Sequence, residues 1–216
     1  MIKTFRTELY AITLLLFISC NDGIQLEPET YRNPIISGFA PDPSICRVGD
    51  DFYLINSTFE YFPGIPVYHS RDLVNWELIA NALHDINQNI AMDSINSSAG
   101  IHAPTIRYHK GLFYIITTNN LNGKMINFII TAEDPKGPWS KAYILKDVPG
   151  IDPSLFFDDN GKVWYTGSHV PPDPEFDGQS EIWMQELDLK QMQLVGEKYY
   201  LTRGFSGGTW AEGPHI

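Results

Sequence analysis

Four short motifs hold the residue types in this 216-residue chain that can do chemistry. They are Asp42-Pro43-Ser44-Ile45, Ala103-Pro104-Thr105-Ile106, Asp152-Pro153-Ser154-Leu155 and Glu212-Gly213-Pro214-His215-Ile216. Two set an aspartate directly before the proline, while the last has Gly213 there and Glu212 one residue earlier. Carboxyl groups held close raise one another's pKa, which leaves one protonated while another is ionised. Such a pair can cleave a glycosidic bond, the acid protonating the leaving oxygen while the base takes a proton from water. Asp-Pro-Ser alone is an ordinary turn, with the aspartate accepting a backbone N–H two residues on. Recurrence in register, rather than any single motif, points to a site.

The segments after the motifs repeat too. The turns Gly49-Asp50-Asp51, His109-Lys110-Gly111 and Asp158-Asp159-Asn160-Gly161 lead into Phe52–Ile55, Leu112–Ile115 and Lys162–Tyr165. Each unit reads as a short apolar strand, a tight turn and an aromatic return strand. A third strand with a polar turn is expected in 70–79 and in 132–145, and two strands around a turn in 182–201. The motif prolines at 43, 104, 153 and 214 recur roughly every 50 to 60 residues, the period of a four-stranded β-propeller blade. One such sheet cannot bury both faces alone, so blades stack around an axis, and matched residues of their first strands meet at one channel mouth. The expected fold is all-β, with about three blades and the start of a fourth, an arc that does not close a ring.

Composition agrees with a folded, strand-rich chain. Aromatic residues make up 13% and are spread throughout, which excludes disorder, and 17 Gly with 15 Pro favour tight turns over long helices. A net charge of −11 leaves no basic surplus for nucleic-acid binding. Residues 1–19 read as a secretory signal: Lys3 and Arg6, then an apolar run from Leu9 to Ile18 too short to span a bilayer. Ser19-Cys20 resembles the lipobox of bacterial lipoproteins, with Cys20 as the lipidated residue. The polar stretch 20–33 then serves as a tether, and the membrane is reached only through that anchor. The expected location is the cell envelope, or otherwise the periplasm or the extracellular space. Cys46 is the other cysteine, so no disulfide framework exists, and it reads as a small buried hydrophobe.

GFAPDPSI (38–45), STFEYFPGIPVYHSRDLVNWELI (57–79), GIHAPTIRY (100–108), GIDPSLFFDDNGKVWYTG (150–167) and WAEGPHI (210–216) resemble the motifs of glycoside hydrolase family 43. The resemblance runs from about Asn33 to Ile216 and implies a five-bladed β-propeller of the β-xylosidase and α-L-arabinofuranosidase type, here 34–216. It implies inverting, exo-acting hydrolysis of xylan-derived oligosaccharides, with xylo- or arabino-oligosaccharides as substrates. By the same likeness Asp42 is the general base, Glu212 the general acid, and Asp152 the residue that tunes pKa and orients its neighbour. Phe59 walls the sugar pocket. His102 stands where many xylosidases of the family carry Trp, a smaller, polar and potentially charged ring beside the sugar. No cofactor is required, although a structural calcium fits a complete propeller. The arginine and histidine supplied by later blades of the family have no counterpart up to Ile216.

Other chemistries lack their residues. The histidines show no HExxH or HxH spacing, no GxSxG elbow occurs, and Gly207-Gly208 lacks the Lys and Ser/Thr of a phosphate loop. Trp76, Trp139 and Trp164 read as packing between blades, and 171–181 as a surface insertion. A non-catalytic carbohydrate-binding surface lipoprotein of the same fold is the alternative, and a three-blade arc by itself is expected to be inactive and poorly stable.

Overall fold

Prolines at the head of each repeat decide where pairing starts, because proline has no N–H to give to a ladder. The computed structural model describes residues 30–204 and 208–216. The expected signal 1–19, Cys20 and most of the tether lie outside the described residues. Two units are distinguished, Met1–Tyr31 and Arg32–Ile216; only Thr30 and Tyr31 of the first are described, both exposed. All of the described strands belong to the second unit.

Three antiparallel sheets follow one another along the chain. Blade 1 holds β1 (Ser44–Val48), β2 (Asp51–Ile55), β3 (Gly64–Ser70) and β4 (Glu77–Leu83) in sequential order. Blade 2 holds β5 (Gly100–Ile101), β6 (Thr105–His109), β7 (Leu112–Leu121), β8 (Lys124–Ala132) and β9 (Tyr143–Ile144). Here β5 and β6 both pair with β7, so they form one inner strand interrupted at His102-Ala103-Pro104. Blade 3 holds β10 (Ile151–Phe157), β11 (Val163–His169), β12 (Glu181–Asp188) and β13 (Gln193–Thr202), again in sequential order. These are three blades of the all-β propeller that the repeat implied.

The three hairpin turns between first and second strands fall where expected. The third strand of blade 3 does too, since β12 and β13 fill 182–201, but those of blades 1 and 2 do not: β3 and β8 precede the segments 70–79 and 132–145, which hold the polar turn and the fourth strand instead. The reason is burial. The β8 core Asn127-Phe128-Ile129-Ile130 is buried on both faces and so lacks the alternation that marks a half-buried strand, while Pro66 interrupts β3.

Alternation within blade 2 builds both cores. Phe113 and Ile115 of β7, with Phe128 and Ile130 of β8, pack toward blade 1 against Ile55, Ile65 and Val67. Ile116 and Ile129 point the other way and join Leu155, Tyr165, Trp183 and Leu187 of blade 3. Successive side chains of a strand face opposite sides, so two neighbouring residues serve two interfaces. Trp139 enters the first core as expected. Trp76 and Trp164 do not: their indole N–H groups donate to Leu73 O (3.0 Å) and Asp158 Oδ2 (3.1 Å), bracing their own turns. Cys46 is half-buried against the first core, and burial pushes its thiol up to about 12.

Candidate active site

The backbone is strained where the acids were expected. Asp42 and Asp152 have φ of +52° and +53°, and Gly213, at the same repeat position, has +61°. Aspartate is one of the few side chains that tolerates this region, at about 1–3 kcal/mol, and such outliers cluster at functional sites. Both aspartates stand just outside regular pairing: β1 begins two residues after Asp42, and β10 breaks register between Ile151 and Ser154. Ala103, the matching residue of blade 2, lacks both the acid and the positive φ.

The two aspartates differ in surroundings. Asp42 is exposed, and its Oδ2 accepts the hydroxyl of buried Ser57. Ser57 is held in turn through its backbone N–H on Pro41 O (3.2 Å), beside Asn56 Nδ2 on the same oxygen (3.0 Å). Asp152 is half-buried, and its carboxyl is pushed up to about 7. Burial is the largest cause, followed by the charges of Glu212 and Asp42, with an N–H of Gly213 opposing them. Glu212 is raised as well, by burial first and then by Asp42. These repulsions exist because three acids from three repeats share one site. The repulsion between Asp152 and Glu212 is mutual, so whichever ionises first resists ionisation of the other.

Glu212 lies on a segment without regular secondary structure, tied to blade 3 at two points. Ser168 Oγ donates to Ala211 O (2.6 Å), and the Trp210 N–H donates to Gly178 O (2.7 Å). Farther along, Arg107 reaches Ser154 Oγ (2.9 Å) and His215 Nδ1 (3.3 Å), linking the inner strands of blades 2 and 3 to this segment.

Phe59 and His102 come together as a wall. Phe59 exchanges both backbone hydrogen bonds with Ile101 (2.9 and 3.0 Å), which sets its ring 5.5 Å from that of His102 and 6.0 Å from that of Phe39. Gly100 permits this approach, since a Cβ there would collide with the carbonyl of Phe59. His102 was read as a potentially charged ring. Burial instead lowers its pKa, with the charge of Asp42 only opposing, so the imidazole is neutral at pH 7. Asn120 Nδ2 stands 3.4 Å from His102 Nε2; the amide can only donate there, which assigns the ring proton to Nδ1.

Sequence reasoning missed Ser57, Ser168 and Asn120. A signal existed for two of them. Strand register matches Ile55, Ile116 and Thr166 across the blades, so Ser57, Thr118 and Ser168 occupy one repeat position at the end of the second strand. All three hold the backbone or side chain near a motif: Thr118 O accepts from His102 N (2.9 Å). Among the described residues no group of three His, Cys, Asp or Glu is placed to hold a metal ion.

The model of glycosyl hydrolases family 43 matches residues 31–216. A xylosidase/arabinosidase from Butyrivibrio fibrisolvens is 53% identical over 189 residues, covering 86% of this chain and 36% of its own length. A non-reducing end alpha-L-arabinofuranosidase from Bacteroides ovatus is 45% identical over 195 residues, covering 90% and 35%. The crystal structure of a GH43_12 retrieved from capybara gut metagenome superposes with a TM-score of 0.80 at 40% identity, covering 88% of this chain and 37% of that one. The chain therefore spans little more than a third of the relatives it matches. Acids in register before the motif prolines, blades of the same architecture and a match over nearly all of the described residues agree: this chain belongs to glycosyl hydrolase family 43.

Proposed function

We propose that the protein is an inverting, exo-acting glycosidase that releases pentose from xylan-derived oligosaccharides, as a β-xylosidase, an α-L-arabinofuranosidase or both. The observation that carries this reading is the shared electrostatics of the acids, with Asp152 pushed to about 7 and Glu212 raised by burial and by Asp42. Glu212 gives its proton to the glycosidic oxygen as the C1–O bond breaks. Asp42 takes a proton from water as the water oxygen bonds to C1 from the opposite face. The products are the free alcohol and a pentose of inverted anomeric configuration; Asp42 ends protonated and Glu212 ionised, and solvent resets both. Asp152 disfavours a second negative charge and so keeps Glu212 in its acid form. Phe59 offers an apolar face to the sugar ring, and neutral His102 offers its Nδ1–H to a hydroxyl. The names of the two relatives, a xylosidase/arabinosidase and an arabinofuranosidase, support a pentoside substrate.

Inversion requires the carboxyls of Asp42 and Glu212 to stand roughly 6.5–9.5 Å apart, room enough for the water. Residues 34–216 are the catalytic part in this reading. Residues 1–19 direct export, and Cys20 with the tether 20–33 anchors the protein in the envelope. The test uses protein from the complete reading frame with 4-nitrophenyl β-xyloside and α-L-arabinofuranoside, wild type against Glu212→Gln, following the product anomer by NMR. Inverted pentose from the wild type and its loss in the variant are expected. Retained configuration, or full activity in Glu212→Gln, overturns the assignment.

A further inference from the structure

The insertion read as a surface loop is built into the fold at its C-terminal end. Gly178, Gln179, Ser180 and Glu181 are buried, and Glu181 is 5% exposed. Its carboxylate pairs with Arg203 Nε (3.1 Å) and lies 3.5 Å from His169 Nε2, while Arg203 Nη1 reaches Glu175 Oε1 in the loop itself (3.2 Å). His169 ends β11, Glu181 opens β12 and Arg203 follows β13, so one buried carboxylate links β12 and the loop to the residue after β13, with the His169 ring alongside. Within the loop, Glu175 N–H donates to the buried Gln179 Oε1 (2.5 Å). The two bonds that hold the Glu212 segment start from this tied region, at Ser168 beside His169 and at Gly178 three residues before Glu181.

We infer that Glu181, through Arg203 and the loop 171–180, is a positioning residue for the general acid Glu212. The inference rests on the glycosidase reading. The buried Glu181 carboxylate needs a cation beside it, and the largely exposed Arg203 meets it from solvent; what the pair supplies is one defined geometry rather than much stability. Here that geometry belongs to the strands and the carbonyl from which Trp210–Glu212 hangs. Glu181 touches neither Glu212 nor the substrate, so its effect passes only through the proton donor.

Leaving-group dependence tests this. Without the proton of Glu212 an oligosaccharide would have to leave as a high-energy alkoxide, whereas 2,4-dinitrophenolate is stable as an anion and needs none. In Glu181→Gln, kcat on a pento-oligosaccharide should fall roughly 10- to 100-fold while kcat on the dinitrophenyl pentoside changes less than about threefold. Gly178→Ala is the second variant: it keeps every charge and adds a Cβ 2.9 Å from Thr209 Cβ and 3.1 Å from the Trp210 ring. It should give the same split, including where Glu181→Gln fails to fold. An equal loss on both substrates means general loosening of the blade, and no loss on either means no coupling; both overturn the inference while leaving the glycosidase reading intact. A wild type that cleaves neither substrate overturns that reading and this inference with it.

Discussion

Asp42 and Asp152 occupy the same repeat position, with the same left-handed backbone and the same following proline and serine, yet blades 1 and 3 use them differently. In blade 1 the carboxylate is exposed and receives the Ser57 hydroxyl. In blade 3 it is half-buried, faces two other acids and is pushed up to about 7. A repeat reproduces backbone, and with it the direction in which a side chain leaves the strand. It does not reproduce what that side chain meets, because each blade has different neighbours. Two identical residues thereby come into different surroundings, an exposed carboxylate with a hydroxyl donor and a half-buried one that burial and neighbouring acids raise.

The sharpest way to break the comparison is to remove each acid in turn. Asp42→Asn should lower kcat by roughly 10²- to 10⁴-fold on every substrate, activated leaving groups included, since water activation is then lost regardless of the leaving group. Asp152→Asn should cost less and keep the activity measurable. Equal losses in single-turnover assays would mean that the two positions are not distinct.

Stability separates them next. Asp152 is raised from 3.8 to about 7 in the folded protein. Below the lower value it is protonated in both states and costs nothing. Between the two values the unfolded chain releases a proton that the folded one keeps, so stability falls as pH rises, and above the upper value the loss is complete. Asp152→Asn should remove this slope, a gain on the order of a few kcal/mol at pH 8 relative to pH 4, read from denaturant midpoints at each pH. A wild-type curve with the same slope as the variant's would contradict the assignment.

A smaller effect should appear in the pH–rate profile. Without the negative charge of Asp152, Glu212 loses its proton more easily, and the alkaline limb should move down by roughly one pH unit. An unmoved limb would remove Asp152 from control of the acid. Smallest is Ser57→Ala, which takes one hydrogen bond from Asp42. It should cost about 1–2 kcal/mol in stability by thermal unfolding and lower kcat severalfold, with the alkaline limb unchanged because Glu212 is untouched.

Much of this arrangement was legible in residue order. Proline at fixed intervals, a Gly/Asp turn and an aromatic return strand are local signals, and they located the first two strands of every blade. The acids could be picked out because each stands beside one of those prolines. The third strand of blade 2 was illegible for a physical reason: β8 is buried on both faces, so its side chains carry no alternation to read. His102 shows a different gap. Its residue type suggested a charge, but the charge state depends on burial and on Asp42, which comes from another blade.

By itself, then, the sequence determined the all-β repeat, the turns and the candidate acids, all of which depend on residues within a few positions of one another. Tertiary structure alone decided which acids are raised together, which hydroxyl serves Asp42, and that the insertion 171–181 ends in a buried carboxylate paired with Arg203, next to the Gly178 carbonyl that holds Trp210. Those outcomes arise from distances between blades, where desolvation and charge act across chain segments far apart in sequence.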